Sequence, residues 1–171
     1  VEAFPKFAEF HKPVIAAIQG LVAGGGLSMM VRAHIRIMAD DAFITDGHLN
    51  VGQVVSPTRY IRDFGWATAM YLYLCKGRLA AQDCHRLGIV NELCPKEQVL
   101  ERATAYAKMM MEIAPSILKA GTELSNLAMA EDPAFAQLAS SLRFSYQEGE
   151  GGEAGKEQAR AFVEKRSINK K

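Results

Sequence analysis

Lys12-Pro13-Val14-Ile15-Ala16-Ala17-Ile18-Gln19-Gly20, followed after Leu21 and Val22 by Ala23-Gly24-Gly25-Gly26, decides the fold class. Pro13 disfavours helix at Lys12. Residues 14–18 form an unbroken apolar run rich in branched side chains, which predicts a buried, parallel strand. Gln19-Gly20 ends it. Residues 27–32 read as helix, so the order is strand, glycine turn, helix. Three glycines there have two readings. One is a tight turn that needs positive φ and no side chains. The other is an open helix start, whose N–H groups and positive dipole end suit an anion or a developing oxyanion. The spacing is not the dinucleotide fingerprint. No Lys-Ser or Lys-Thr follows, so it is not a phosphate loop either.

Working outward, residues 35–39, 42–44 and 89–93 read as further strands. Residues 58–76 read as one amphipathic helix, and 80–87 as a second that stops at Gly88. Past Pro95 the chain reads as helix at 97–113, 115–129, 133–146 and 154–165. Residues 1–10 have helical apolar spacing through Phe4, Phe7 and Phe10. The Gly- and Glu-rich stretch 148–155 reads as a turn or flexible connection. The partition is an α/β part, residues 1–94, and a helical part, residues 95–171.

Composition bounds the function. At 171 residues with 49% hydrophobic and 23% charged side chains, the chain can bury a core. A net charge of +1 gives no electrostatic case for nucleic acid or an acidic membrane. Lys165-Arg166 and Lys170-Lys171 read as a solvated end or, second, as a phosphate contact. Cys75, Cys84 and Cys94 are odd in number and fit no zinc or redox spacing. They read as reduced thiols in a cytosol-like compartment, and no metal site is expected. No apolar run is long enough to span a membrane. The expectation is a cytoplasmic protein, or one of an organelle matrix if a targeting segment preceded Val1.

The segment from Lys12 to Gly26 closely resembles the signature of the crotonase (enoyl-CoA hydratase/isomerase) superfamily. Gly77-Arg78-Leu79-Ala80-Ala81-Gln82-Asp83-Cys84-His85-Arg86-Leu87-Gly88-Ile89-Val90-Asn91 resembles a later segment of that family. Ala161-Phe162-Val163-Glu164-Lys165-Arg166 resembles its C-terminal helix. The resemblance implies an α/β crotonase-like fold: a parallel-strand spiral with a helical C-terminal oligomerisation region. It implies an acyl-coenzyme A thioester as substrate, no separate cofactor, and trimers or hexamers of one chain. The Gly25 N–H would be one of two donors to the thioester oxygen, with Gly24 and Gly26 beside it. The second donor and the adenine-binding loop would come from strands ahead of Val1. Phe162 and Lys165 match positions that approach coenzyme A. The bland alternative is a terminal helix with Phe162 buried and Lys165 solvated.

At the catalytic positions the chain departs from the family. Its hydratases carry two glutamates; Ser28 and His48 stand at those places. His48 can move a proton near neutral pH, and Asp46 can orient it or act itself. Thr45-Asp46-Gly47-His48 resembles a segment of crotonase-like β-diketone hydrolases. The plainer readings are a small helix residue for Ser28 and a polar loop end for His48. The family's Pro-Gly-x-Gly-Gly stretch is replaced by the shorter Val54-Val55-Ser56-Pro57-Thr58. His34 reads as structural, and His11 and His85 as solvated. Met29, Met30 and Met109 to Met111 read as core filling; Tyr60, Trp66, Tyr71 and Tyr73 either pack the helix, the better reading, or line the acyl side. Three functions follow: an acyl-CoA hydratase, isomerase or related lyase; a C–C or acyl-bond hydrolase using His48; and a non-catalytic acyl-CoA-binding or oligomerising protein.

Overall fold

The structure, a computed structural model, describes residues 10–129, 141 and 150–165. The helical readings at 1–10 and 133–146 fall almost wholly outside the described residues. The elements are β1 (Ile15–Ile18), β2 (Leu21–Ala23), α1 (Gly25–Met30), β3 (Ile35–Ala39) and β4 (Phe43–Thr45). A 3₁₀ turn (Leu49–Val51), α2 (Thr58–Phe64), α3 (Trp66–Leu74) and β5 (Arg78–Ala80) follow. Then come α4 (Ala81–Arg86), β6 (Glu92–Cys94), α5 (Val99–Met111), α6 (Pro115–Ala128) and α7 (Glu150–Val163). They form two compact units. The first holds residues 10–44 and 79–129. The second holds 45–78, 141 and 150–165.

In the first unit β1, β3 and β6 make a parallel sheet in the order β1-β3-β6. Ile15 lies opposite Ile35, and Ile37 lies opposite both Ala17 and Glu92. The central strand β3 carries the core, with Ile37, Met38 and Ala39 fully buried. α5 packs across β1 and β3 through buried Val99 and Ala103. Such burial stabilises by about 1.5–3 kcal/mol per large apolar side chain. β2, β4 and β5 form a second three-stranded sheet in the order β2-β4-β5.

β1 corrects the expectation of a buried strand: only Ile18 is buried and Ala17 is exposed. It pairs on one side alone among the described residues. Beside it lies an apolar cavity of about 370 Å³, lined by the strand, Leu21, Val22, Gly26, Met29 and Met30. The start of β1 is tied down by His34. The Val14 N–H donates to His34 Nδ1 at 3.0 Å, so Nε2 must carry the ring proton. It donates to Asn126 Oδ1 at 3.1 Å, and Asn126 Nδ2 donates to the Phe10 carbonyl. The structural reading of His34 holds.

Other expectations change. Residues 58–76 are two helices, broken at Gly65, whose φ of 76° and ψ of 161° end the first. Residues 150–155 are helix, the first turns of α7. Met30 is core, but Met29, Met109 and Met111 are exposed, as is Trp66 at 68%. His11 is exposed yet pairs with Glu123 at 2.7 Å. No described helix is long and apolar enough to cross a membrane. Among the described residues no group of His, Cys, Asp and Glu is placed to hold a metal ion.

Candidate functional site

The glycine turn belongs to the first unit. Gly24 precedes α1 with φ 51° and ψ −118°, a conformation open to glycine. Gly25 is the first helical residue. The first intrahelical bond is Ser28 N–H to the Gly24 carbonyl at 3.0 Å. The N–H groups of Gly25, Gly26 and Leu27 therefore precede the helix's own acceptors, and no side chain caps them. Gly26 is not a steric necessity, because an added Cβ would meet Val22 Cγ1 at an ordinary 3.7 Å. Leu27 anchors the turn with 0% exposure. Ser28 is half-buried, and its carbonyl accepts from Arg32.

The histidine turn belongs to the second unit. Asp46 follows β4 and is 2% exposed. Its Oδ1 accepts the His48 backbone N–H and meets His48 Nδ1, both at 2.8 Å. The first bond makes an Asx turn, which an Asp two residues upstream forms locally. The second fixes the tautomer. An ionised carboxylate only accepts, so Nδ1 donates, and in the neutral ring Nε2 keeps its lone pair. The His48 ring retains 11% of its exposure, so the pair is held but not sealed. Asp46 Oδ2 is buried with no hydrogen-bond partner among the described residues.

Beside this turn, Tyr73 donates its phenol proton to the Val55 carbonyl at 2.7 Å. Burial raises the phenol pKa and the Asp46 charge adds to it. Tyr73 thus stays a neutral donor and anchors the short loop before α2. Packing describes Tyr60, which stacks on Phe64. It does not describe Tyr73, and no local pattern separates the two. In α7 Phe162 is 57% exposed, so the reading that buries it fails. Lys165 is exposed in a left-handed conformation, φ 52°.

The geometry thus offers a side-chain-free turn of backbone donors and an imidazole oriented by a buried carboxylate, on an α/β scaffold with a parallel sheet. Residues 2–171 match the sequence model of the family described as enoyl-CoA hydratase/isomerase. This chain belongs to that family. It is 32% identical over 167 residues to a probable enoyl-CoA hydratase of Bacillus subtilis, covering 94% of this chain and 63% of the relative. It is 27% identical to a probable mitochondrial enoyl-CoA hydratase of Dictyostelium discoideum, covering 93% and 58%. The chain therefore spans about three fifths of the length of these relatives. Carnitinyl-CoA hydratase from Mycobacterium avium has the same fold, with a TM-score of 0.85 at 24% identity, over 99% of this chain and 67% of that one. A methylmalonyl-CoA decarboxylase superposes with a TM-score of 0.82 at 22% identity, over 96% and 65%. The crotonase-like α/β fold is thus established.

Proposed function

We propose that the chain processes an acyl-coenzyme A thioester by enoyl-CoA hydratase/isomerase-type chemistry. In this reading the Gly25 N–H holds the thioester oxygen as it gains enolate charge, with Gly24 and Gly26 leaving room for the acyl group. His48 moves the proton, Asp46 fixes its tautomer, and Ser28 lines the turn. Phe162 and Lys165 hold coenzyme A. The observation that carries the reading is the Asp46–His48 hydrogen bond of 2.8 Å, at the place where the family's hydratases carry a glutamate.

For hydration, Nε2 takes a proton from water as its oxygen bonds to the β-carbon of a 2-enoyl thioester. The imidazolium then gives a proton to the α-carbon as the enolate collapses. The same imidazole also suits activation of water for attack on a carbonyl. Hydrolysis of a C–C or acyl bond is therefore the second reading, favoured by a histidine in place of the glutamate pair. A trimer or hexamer belongs with the first reading. Leu100, Met111, Ile117, Leu124 and Leu127 on α5 and α6 are each more than 60% exposed, which supports helix-mediated self-association.

The test is incubation with crotonyl-CoA, with mass analysis of the product and a free-thiol assay. A thioester heavier by one water supports hydration. Released coenzyme A supports hydrolysis. Binding without turnover assigns a non-catalytic acyl-CoA-binding role, and no binding sinks all three.

A further inference from the structure

The first turns of α7 contain Gly151, Gly152 and Gly155, although glycine is the poorest helix former after proline. Contact explains one of them. α7 packs against the 3₁₀ turn Leu49–Val51, and beside it the two backbones touch. A Cβ added to Gly52 would fall on the Gly155 carbonyl. A Cβ added to Gly155 would come within 2.8 Å of the Gly52 carbonyl oxygen. Real Cβ atoms do not approach backbone so closely. Gly52 also has φ 70°, which strains any side chain. Neither position accepts a side chain unless helix and turn part.

This turn is the one that presents His48. The His48 carbonyl accepts the Val51 N–H at 3.1 Å and the Gln53 N–H at 2.9 Å. Gly52 sits between those two donors, and its own N–H reaches the Leu49 carbonyl at 3.3 Å. On its other side His48 is held by Asp46 through both its backbone N–H and its ring. A displacement at Gly52 therefore passes to the His48 backbone and turns the ring against Asp46. We propose that α7 is a positioning element for His48, acting through the Gly155–Gly52 backbone contact. The proposal rests on the reading of His48 as proton carrier. It makes Gly52 and Gly155 positioning residues for that step.

The test is a pH titration of the histidine ring resonances by NMR on the full chain. There are four histidines, and His48→Ala assigns the relevant signal. In Gly155→Ala the His48 signal and its titration midpoint shift, while His11, His34 and His85 keep theirs. A displacement of this kind lowers kcat for crotonyl-CoA roughly 10- to 100-fold, with KM nearly unchanged. Gly121→Ala in α6, where an added Cβ meets nothing within 4 Å, leaves all four signals in place. Should Gly155→Ala not fold, Ala161→Gly replaces it. That change removes a buried methyl of α7 without touching Gly52, and a smaller His48 shift is expected. A folded variant with an unmoved His48 titration overturns the proposal, as does a common shift of all four histidines. Turnover by His48→Ala tests the proton-transfer reading separately, so failure of either idea is recognised by itself.

Discussion

At Gly24–Gly26 the chain strips away its side chains and offers backbone N–H groups. At Asp46–His48 it does the reverse, fixing one ring with a carboxylate that also holds the turn's backbone. The first arrangement depends on what is missing. The second depends on two particular side chains. The difference teaches where each is fragile. A backbone donor survives most substitutions that keep the turn, and fails only when the N–H itself is lost. An oriented imidazole fails on any change of its own side chain, and weakens by degrees when its support changes.

The contrast can be broken experimentally, beginning with the greatest effect. With crotonyl-CoA as substrate, His48→Ala lowers kcat about 100- to 10,000-fold, the range of a general acid–base group, while CoA-ester affinity stays within about twofold. Retained turnover would remove the histidine turn from the chemistry. Gly25→Pro comes next. Pro is well accepted at the first helical position but has no N–H, and loss of one oxyanion donor costs about 100- to 1000-fold in kcat. Gly25→Ala keeps the N–H and is expected to lose far less; equal losses would mean the glycine acts by shape alone. Asp46→Asn separates charge from geometry. The asparagine oxygen still accepts both His48 N–H groups, but a charge-assisted bond worth about 1.5–3 kcal/mol is weakened. Single-turnover rates are expected to fall roughly 10- to 100-fold.

The smallest effect leaves activity unchanged and compares the two units through their thiols. Cys75, in the second unit, is exposed, whereas Cys84 and Cys94, in the first, are buried. Burial pushes the Cys84 thiol up to about 11, with the Asp83 charge adding to it; burial also raises Cys94, helped by Glu92. Thiolate is the reactive form, so at pH 8 both stay protonated as well as shielded. Iodoacetamide is expected to modify one thiol quickly and two only on unfolding. Rapid labelling of Cys84 would show the glycine-turn unit to be open.

Local patterns made much of the first unit legible. β3 falls at residues 35–39 as read, because an apolar run between polar stops is a short-range signal. β2 has no such signal: three residues wedged between Gly20 and the glycine turn carry no period. The break at Gly65 was hidden by Ala, Met and Leu on both sides, and is a matter of one residue's φ. Residues 150–155 read as a turn because glycine is a poor helix former, yet tertiary contact at Gly52 overrode propensity. Exposed Trp66, Met109 and Met111 show that large apolar side chains do not choose the core by themselves. In the candidate site, motif resemblance points to Gly25 and His48, and a two-residue spacing points to Asp46. Tyr73 to Val55 and Gly155 to Gly52 join residues far apart in sequence. No local pattern announces such pairs.

The Thr45 hydroxyl donates to the Gly77 carbonyl at 2.7 Å, where β4 ends and β5 is about to begin. These two strands are neighbours in their sheet. The chain that leaves after Thr45 therefore returns to its point of departure, and everything between is a cassette with adjoining ends. Closing a longer cassette adds little entropy, about 0.6 kcal/mol for each doubling of length. Residues 46–76, with Asp46 and His48 aboard, thus leave and rejoin the sheet at one place, while the turn at 49–52 stays packed against α7.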